Sequence, residues 1–261
     1  MVGHVKDVWR YRYFWLSLVK MDLMTRYRKS VLGIGWSLIY PLAMTTVLLV
    51  VFGTIMKSST MDWRKYALSV LSAMTVWEFL RGCMTQGCFS LIRSEAYIRQ
   101  APLPFAIYSL RVVLGNAFHL MMSSIVLLVL LLILHPTGLT ANAFVAIPGL
   151  LLAMVFGWAI ATLAGFATAF FHDISHMMEV FAQMMFFLTP IIYSKEQLKE
   201  YAWTTQINPF ALFIELVREP LVSGAIPGTD VYVSACIFTA AALALAIGTI
   251  AWLQKKVIFQ L

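Results

Sequence analysis

Hydrophobic and polar positions in this chain fall into long blocks rather than a fine alternation. An apolar run begins at Leu32 and reaches Met56. Similar runs follow from about Tyr66 to Ile92, Ile107 to Leu134, Ala143 to Phe171, Met177 to Tyr193 and Val231 to Leu253. A helix that crosses a bilayer needs about 20 mostly apolar residues. The pattern therefore predicts an all-α integral membrane protein with six transmembrane helices. Glu78 and Arg81 interrupt the second run, His135-Pro136 closes the third, Pro148 sits in the first turns of the fourth, and the fifth is the shortest.

Composition agrees with lipid as the main solvent. Of 261 residues 61% are hydrophobic and 12% charged, about half the charged share of a soluble domain. Mean hydropathy is +0.83. The first 31 residues hold seven Lys or Arg and no sustained apolar run, which is not the pattern of a cleavable signal peptide. The first span is expected to act as its own insertion signal. Cys83, Cys88 and Cys236 sit in apolar contexts with neither zinc nor disulfide spacing, and are expected to be small buried hydrophobes.

Charge orients the spans. With the N-terminus inside, eleven Lys or Arg fall in cytoplasmic segments and six in outer ones. The positive-inside rule then places both termini in the cytoplasm.

Three segments outside the spans carry further information. Residues 5 to 29 mix Trp9, Phe14, Trp15, Leu18, Leu23 and Met24 with bases and acids at loose helical spacing. This predicts an amphipathic helix in the inner interface; the alternative is a basic flank that only sets topology. Residues 93 to 105, RSEAYIRQAPLPF, predict a short cytoplasmic helix ended by Pro102 and Pro104. Residues 194 to 229 contain LKEYAWTT and ALFIELVREPLV. Both pieces are too short to span, so a re-entrant or interfacial pair of outer helices is expected.

The candidate chemistry is sparse. No G-x-x-x-x-G-K-[ST] loop occurs, and Gly33-Ile34-Gly35 lacks the third glycine of a dinucleotide loop. Any ATP is bound elsewhere. Glu78 and Arg81, three apart, read either as an ion-path element or as an intramembrane pair that neutralises itself and pins helix packing. Arg111, His119 and Glu179 are the other ionisable groups that an ion-coupled transporter would use. His172-Asp173-Ile174-Ser175-His176 stands one methylene from the zinc-protease motif and offers a metalloprotease alternative. Aromatic rings suit the apolar faces of sugars. Trp36 and Tyr40 lie four apart on span one, with Phe181, Met185 and Phe186 as a matching strip on span five.

The stretch RYRKSVLGIGWSLIYPL, residues 26 to 42, resembles the start of the first span in permease subunits of ABC-2 type polysaccharide exporters. TVWEFL, SLIRSEAYIRQAPLPF, FHDI, TPIIYS and NPFALFIELVREPLVSG follow in that family's order. His172 stands where the family's block carries Arg. The resemblance implies an interface segment over 1–31 and an ABC-2 type transmembrane domain over 32–261. It implies export of a lipid-linked polysaccharide of the O-antigen, capsule or teichoic acid type across a bacterial inner (cytoplasmic) membrane by two copies of the chain with two ATP-binding cassette subunits. ATP and magnesium belong to those subunits, with no cofactor, metal or catalytic residue on this chain and no nucleic-acid partner. Arg93, Glu95, Tyr97, Ile98, Arg99 and Gln100 become the coupling helix seated in the ATPase. Tyr201, Trp203, Asn208, Pro209, Phe210 and Phe213 become an outer gate. Gly33, Gly35 and Pro41 supply the bend between interface helix and span.

Overall fold

The computed structural model describes residues 9–28, 30–55, 62–100, 103–135, 140–193 and 207–261. These residues are helical, and no strand occurs among them. Helix α1 covers Arg12–Tyr27, α2 Trp36–Ile55, α3 Trp63–Gly87, α4 Glu95–Gln100 and α5 Ala106–Leu134. Then come α6 over Ala146–Phe170, α7 over Ile174–Leu188, α8 over Pro209–Arg218 and α9 over Thr229–Val257.

Among the described residues four segments are long and apolar enough to cross a membrane: Gly33–Val51, Ala106–Leu134, Ala141–Phe170 and Thr229–Val257. The other two predicted spans, α3 and α7, do not meet both criteria. α3 has the length, 25 residues, but its Glu78, Arg81, Thr85 and Gln86 line a cavity. Sixteen of its residues are buried against other helices, so α3 is shielded from lipid and can afford polar positions. α7 has only 15 residues, about 22 Å of rise, short of a hydrocarbon core of about 30 Å.

Close packing holds α3 to α6. A Cβ on Gly87 would lie 2.7 Å from Ala161 Cα, and one on Gly157 would lie 2.9 Å from Cys83 Sγ. In lipid the hydrophobic effect does not drive helices together, so backbone approach across small residues carries the association. α8 wedges into the same core. Nine of its ten residues are buried, Phe213 lies 4.6 Å from Phe156 and Phe210 lies 5.6 Å from Trp77, centroid to centroid. Each such aromatic pair adds about 0.5–1.5 kcal/mol beyond burial. Of the two outer helices expected, α8 therefore enters the bundle instead of lying on an interface. Its predicted partner, LKEYAWTT, lies outside the described residues. Cys83 and Cys88 are buried, but Cys236 is exposed on α9, a correction to its expected burial. It faces out from a helix whose lipid side needs only apolar character.

The turn between α1 and α2 follows from its residues. Gly33 adopts φ +49°, a left-handed conformation that favours glycine. Its N–H donates to Ser30 Oγ at 3.2 Å, and a 3₁₀ turn over Gly33–Gly35 leads into α2 at Trp36. α1 itself buries only Leu18 and Val19, while Trp9, Tyr13 and Met24 are exposed.

Candidate functional site: a polar cavity among four helices

A cavity of about 660 Å³ opens among α1, α2, α3 and α5. Helical periodicity builds each wall. α2 contributes Trp36, Ser37 and Tyr40, and α3 contributes Glu78, Arg81 and Thr85. α5 contributes Asn116, His119 and Ser123, at i, i+3 and i+7 of an otherwise apolar helix. α1 closes one side with Arg26 and Tyr27.

Polar groups in a membrane helix require partners, and here they find them across helices. Arg81 Nη1 lies 3.2 Å from Glu78 Oε2, and Tyr40 donates to Glu78 Oε1 at 3.4 Å. Arg26 Nη1 lies 2.6 Å from His119 Nε2. Ser37 Oγ lies 2.9 Å from His119 Nδ1 and 2.5 Å from the Tyr27 hydroxyl. Arg111 Nε and Nη2 donate to the two carboxylate oxygens of Asp22, a fork that ties α1 to α5 a second time. The ionisable groups Arg111 and His119 thus clamp α1 to the membrane helices.

The predicted site residues separate into groups. Trp36 and Tyr40 line the cavity with their rings half exposed, beside Glu78 and Arg81. Phe181, Met185 and Phe186 do not join them. Phe186 packs on Trp77 at 5.9 Å, Met185 packs against the same core, and Phe181 lies at the outer surface of α7. The matching strip is therefore not part of this cavity: the rotation of α7 is set by the Trp77 contact. Phe210 and Phe213 are buried in the core and do not line this cavity. Asn208 caps α8 by accepting from Phe210 N at 3.0 Å, with Pro209 in the first turn, and donates to Thr189 Oγ1 at 2.9 Å. Tyr201 and Trp203 lie outside the described residues.

The predicted coupling segment forms a 3₁₀ turn over Ile92–Ser94 and then α4. Arg99 Nε lies 2.8 Å from Glu95 Oε1. Tyr97 and Ile98 pack on a cluster containing Leu91, Phe105, Phe166 and Ile250, and Tyr97 meets Phe14 of α1 edge-on at 6.0 Å. Arg93, Arg99 and Gln100 remain exposed. One face of α4 is thus anchored to α1, α5, α6 and α9, and the opposite face is free. His172 and His176 are exposed. Among the described residues no group of three or more His, Cys, Asp or Glu gathers to hold a metal, so the metalloprotease alternative has no third ligand to support it.

Sequence reasoning missed Tyr27, Ser37, Asn116 and the Asp22–Arg111 fork. The i, i+3, i+7 spacing of Asn116, His119 and Ser123 in a lipid-soluble helix was the available signal. Asp22 carried none, because its partner is 89 residues away.

Fold and cavity define a helical integral membrane protein with a polar chamber between its helices. The model of the ABC-2 type transporter family matches residues 13–222, and the chain belongs to that family. It is similar to two O-antigen export system permease proteins RfbA of Klebsiella pneumoniae. One is 24% identical over 85% of this chain and 84% of the relative, the other 24% identical over 80% of each. An RfbA permease of Myxococcus xanthus is 21% identical over 74% of this chain and 73% of its own length.

Proposed function

We propose that this chain is the channel-forming subunit of an ATP-driven exporter of lipid-linked polysaccharide, of the O-antigen, capsule or teichoic acid type. It works as two copies with two ATP-binding cassette subunits. Similarity to O-antigen export permeases over four-fifths of both chains supports the cargo class. One observation carries the reading at the site: the cavity combines half-exposed Trp36 and Tyr40 rings with hydroxyl, amide and ion-pair groups. Rings accept the C–H face of a sugar, and short polar groups meet its hydroxyl rim. No single group grips strongly, as a sliding chain requires. α3, and α7 together with residues 189–193 that follow it, complete six spans, with both termini in the cytoplasm. α4 then lies on the cytoplasmic side as the coupling helix, and α8 with the segment before it forms the outer gate.

Sealed inverted vesicles carrying this chain and its ATPase, loaded with lipid-linked glycan, test the reading. Glycan should cross to the lumen with ATP, stop with vanadate and ignore proton and sodium ionophores. Ionophore-sensitive, vanadate-resistant movement would instead establish an ion-coupled transporter using Glu78 and Arg81.

A further inference from the structure

A second cavity, of about 270 Å³, adjoins the first, and Arg26 and Gln86 line both. Among the described residues its lining is basic: Arg26, Arg93 and Arg111 stand with Asp22 as the one acid. Asp22 occupies Nε and Nη2 of Arg111. The remaining nitrogen, Arg111 Nη1, is buried without a partner among the described residues, as is the hydroxyl of Tyr108. Tyr108 is 0% exposed and lines the same cavity. A buried donor left unmatched costs about 1–3 kcal/mol, more when charged. The excess positive charge raises that cost unless an anion offsets it.

The donors select the anion. Guanidinium groups present planar forks that match phosphate oxygens, and a phenol adds one more donor. The position selects the source. The chamber lies behind α1, whose Tyr13 is exposed, as is Trp9 just before it, and such rings settle at the level of lipid headgroups. We propose that this chamber binds a phosphate group carried by a lipid, with whatever is attached to that phosphate passing Arg26 and Gln86 into the larger cavity. That the lipid is the carrier of an exported glycan rests on the export reading; the phosphate site itself does not.

The test uses the purified full chain in neutral detergent micelles. The probes are dioleoyl phosphatidic acid, dioleoyl glycerol as its phosphate-free counterpart, and inorganic pyrophosphate alone. Thermal shift gives affinity, and native mass spectrometry counts retained lipid. Phosphatidic acid should bind and dioleoyl glycerol should not. Tyr108→Phe should weaken phosphatidic acid binding about tenfold, the scale of one hydrogen bond to a charged group, without lowering the melting temperature of the lipid-free protein. Arg111→Gln should weaken it further. Pyrophosphate binding without phosphatidic acid binding overturns the proposal. So does phosphatidic acid binding that both variants leave intact, or Tyr108→Phe acting only on stability. A protein that binds phosphatidic acid in this way but moves no glycan keeps the site and loses the export reading; one that exports glycan and binds neither probe does the reverse.

Discussion

Arg26 Nη1 lies 2.6 Å from His119 Nε2 and joins α1 to the middle of α5. A guanidinium only donates. Nε2 is therefore the acceptor, and the ring proton sits on Nδ1, which donates to Ser37 Oγ at 2.9 Å. Ser37 in turn meets Tyr27 at 2.5 Å. One imidazole thus fastens three helices at the rim of the cavity.

His119→Leu should release α1. The change strands Arg26 and leaves Ser37 and Tyr27 only their bond to each other, at a cost of about 1–3 kcal/mol for the group left without a partner. Hydrogen exchange over Arg12–Tyr27 should accelerate, and the membrane core of α5 and α6 should not. His119→Gln, which still offers an acceptor and a donor, should lie between the two. Unchanged exchange in the leucine variant would mean that the Asp22–Arg111 fork and the Tyr27–Ser37 bond suffice to hold α1.

Trp36→Ala and Tyr40→Ala should each slow ATP-driven glycan export severalfold while dimer and ATPase assembly persist. Trp36→Phe should recover most of the rate, since a ring face is what the sugar uses. Normal export in both alanine variants would assign these rings to lipid contact.

Glu95 and Arg99 bond to each other at 2.8 Å on the free face of α4. An exposed pair of this kind is worth about 0.3–0.5 kcal/mol, too little to explain any large loss. Glu95→Lys or Arg99→Glu should nevertheless uncouple ATP hydrolysis from export, because charge sets register in a partner's cleft. The double swap Glu95→Arg with Arg99→Glu restores the internal pair but reverses the surface, and should remain uncoupled. Coupled transport in the swap would show that α4 needs only its own pair.

Gly87→Ala should destabilise the protein by about 1–3 kcal/mol through overpacking, because its Cβ would meet Ala161 Cα at 2.7 Å. Gly248→Ala, with nothing within 4 Å, should be neutral or stabilising by up to about 1 kcal/mol through helix propensity. Equal melting temperatures for the two variants would remove the small-residue contact as the α3–α6 determinant.

Single cysteines at Ala96 and Thr140, in a background without Cys83, Cys88 and Cys236, should label from opposite sides of the membrane. Both positions are exposed, and α5 lies between them. Labelling from one side would break the proposed six-span topology.

Local composition was enough to determine the long apolar helices, the stops at Leu134 and Phe171, the short helix over Glu95–Gln100 and the glycine turn at Gly33. Each depends on how a stretch of residues meets lipid, water or its own backbone. The Glu78–Arg81 pair is equally local, because three residues bring two side chains to one helix face. The tertiary structure alone decided that α3 is shielded among other helices, that Phe186 turns to Trp77 instead of to Trp36, and that Phe210 and Phe213 belong to the core. It also decided the pairing of Asp22 with Arg111 and of Arg26 with His119. Those outcomes depend on the rotation of each helix about its axis. For α3 and α6 that rotation is set where Gly87 meets Ala161 and Gly157 meets Cys83, and for α7 where Phe186 meets Trp77, by contacts between residues far apart in the chain. An apolar helix offers lipid-compatible residues on every side, so hydropathy carries no record of which side faces inward.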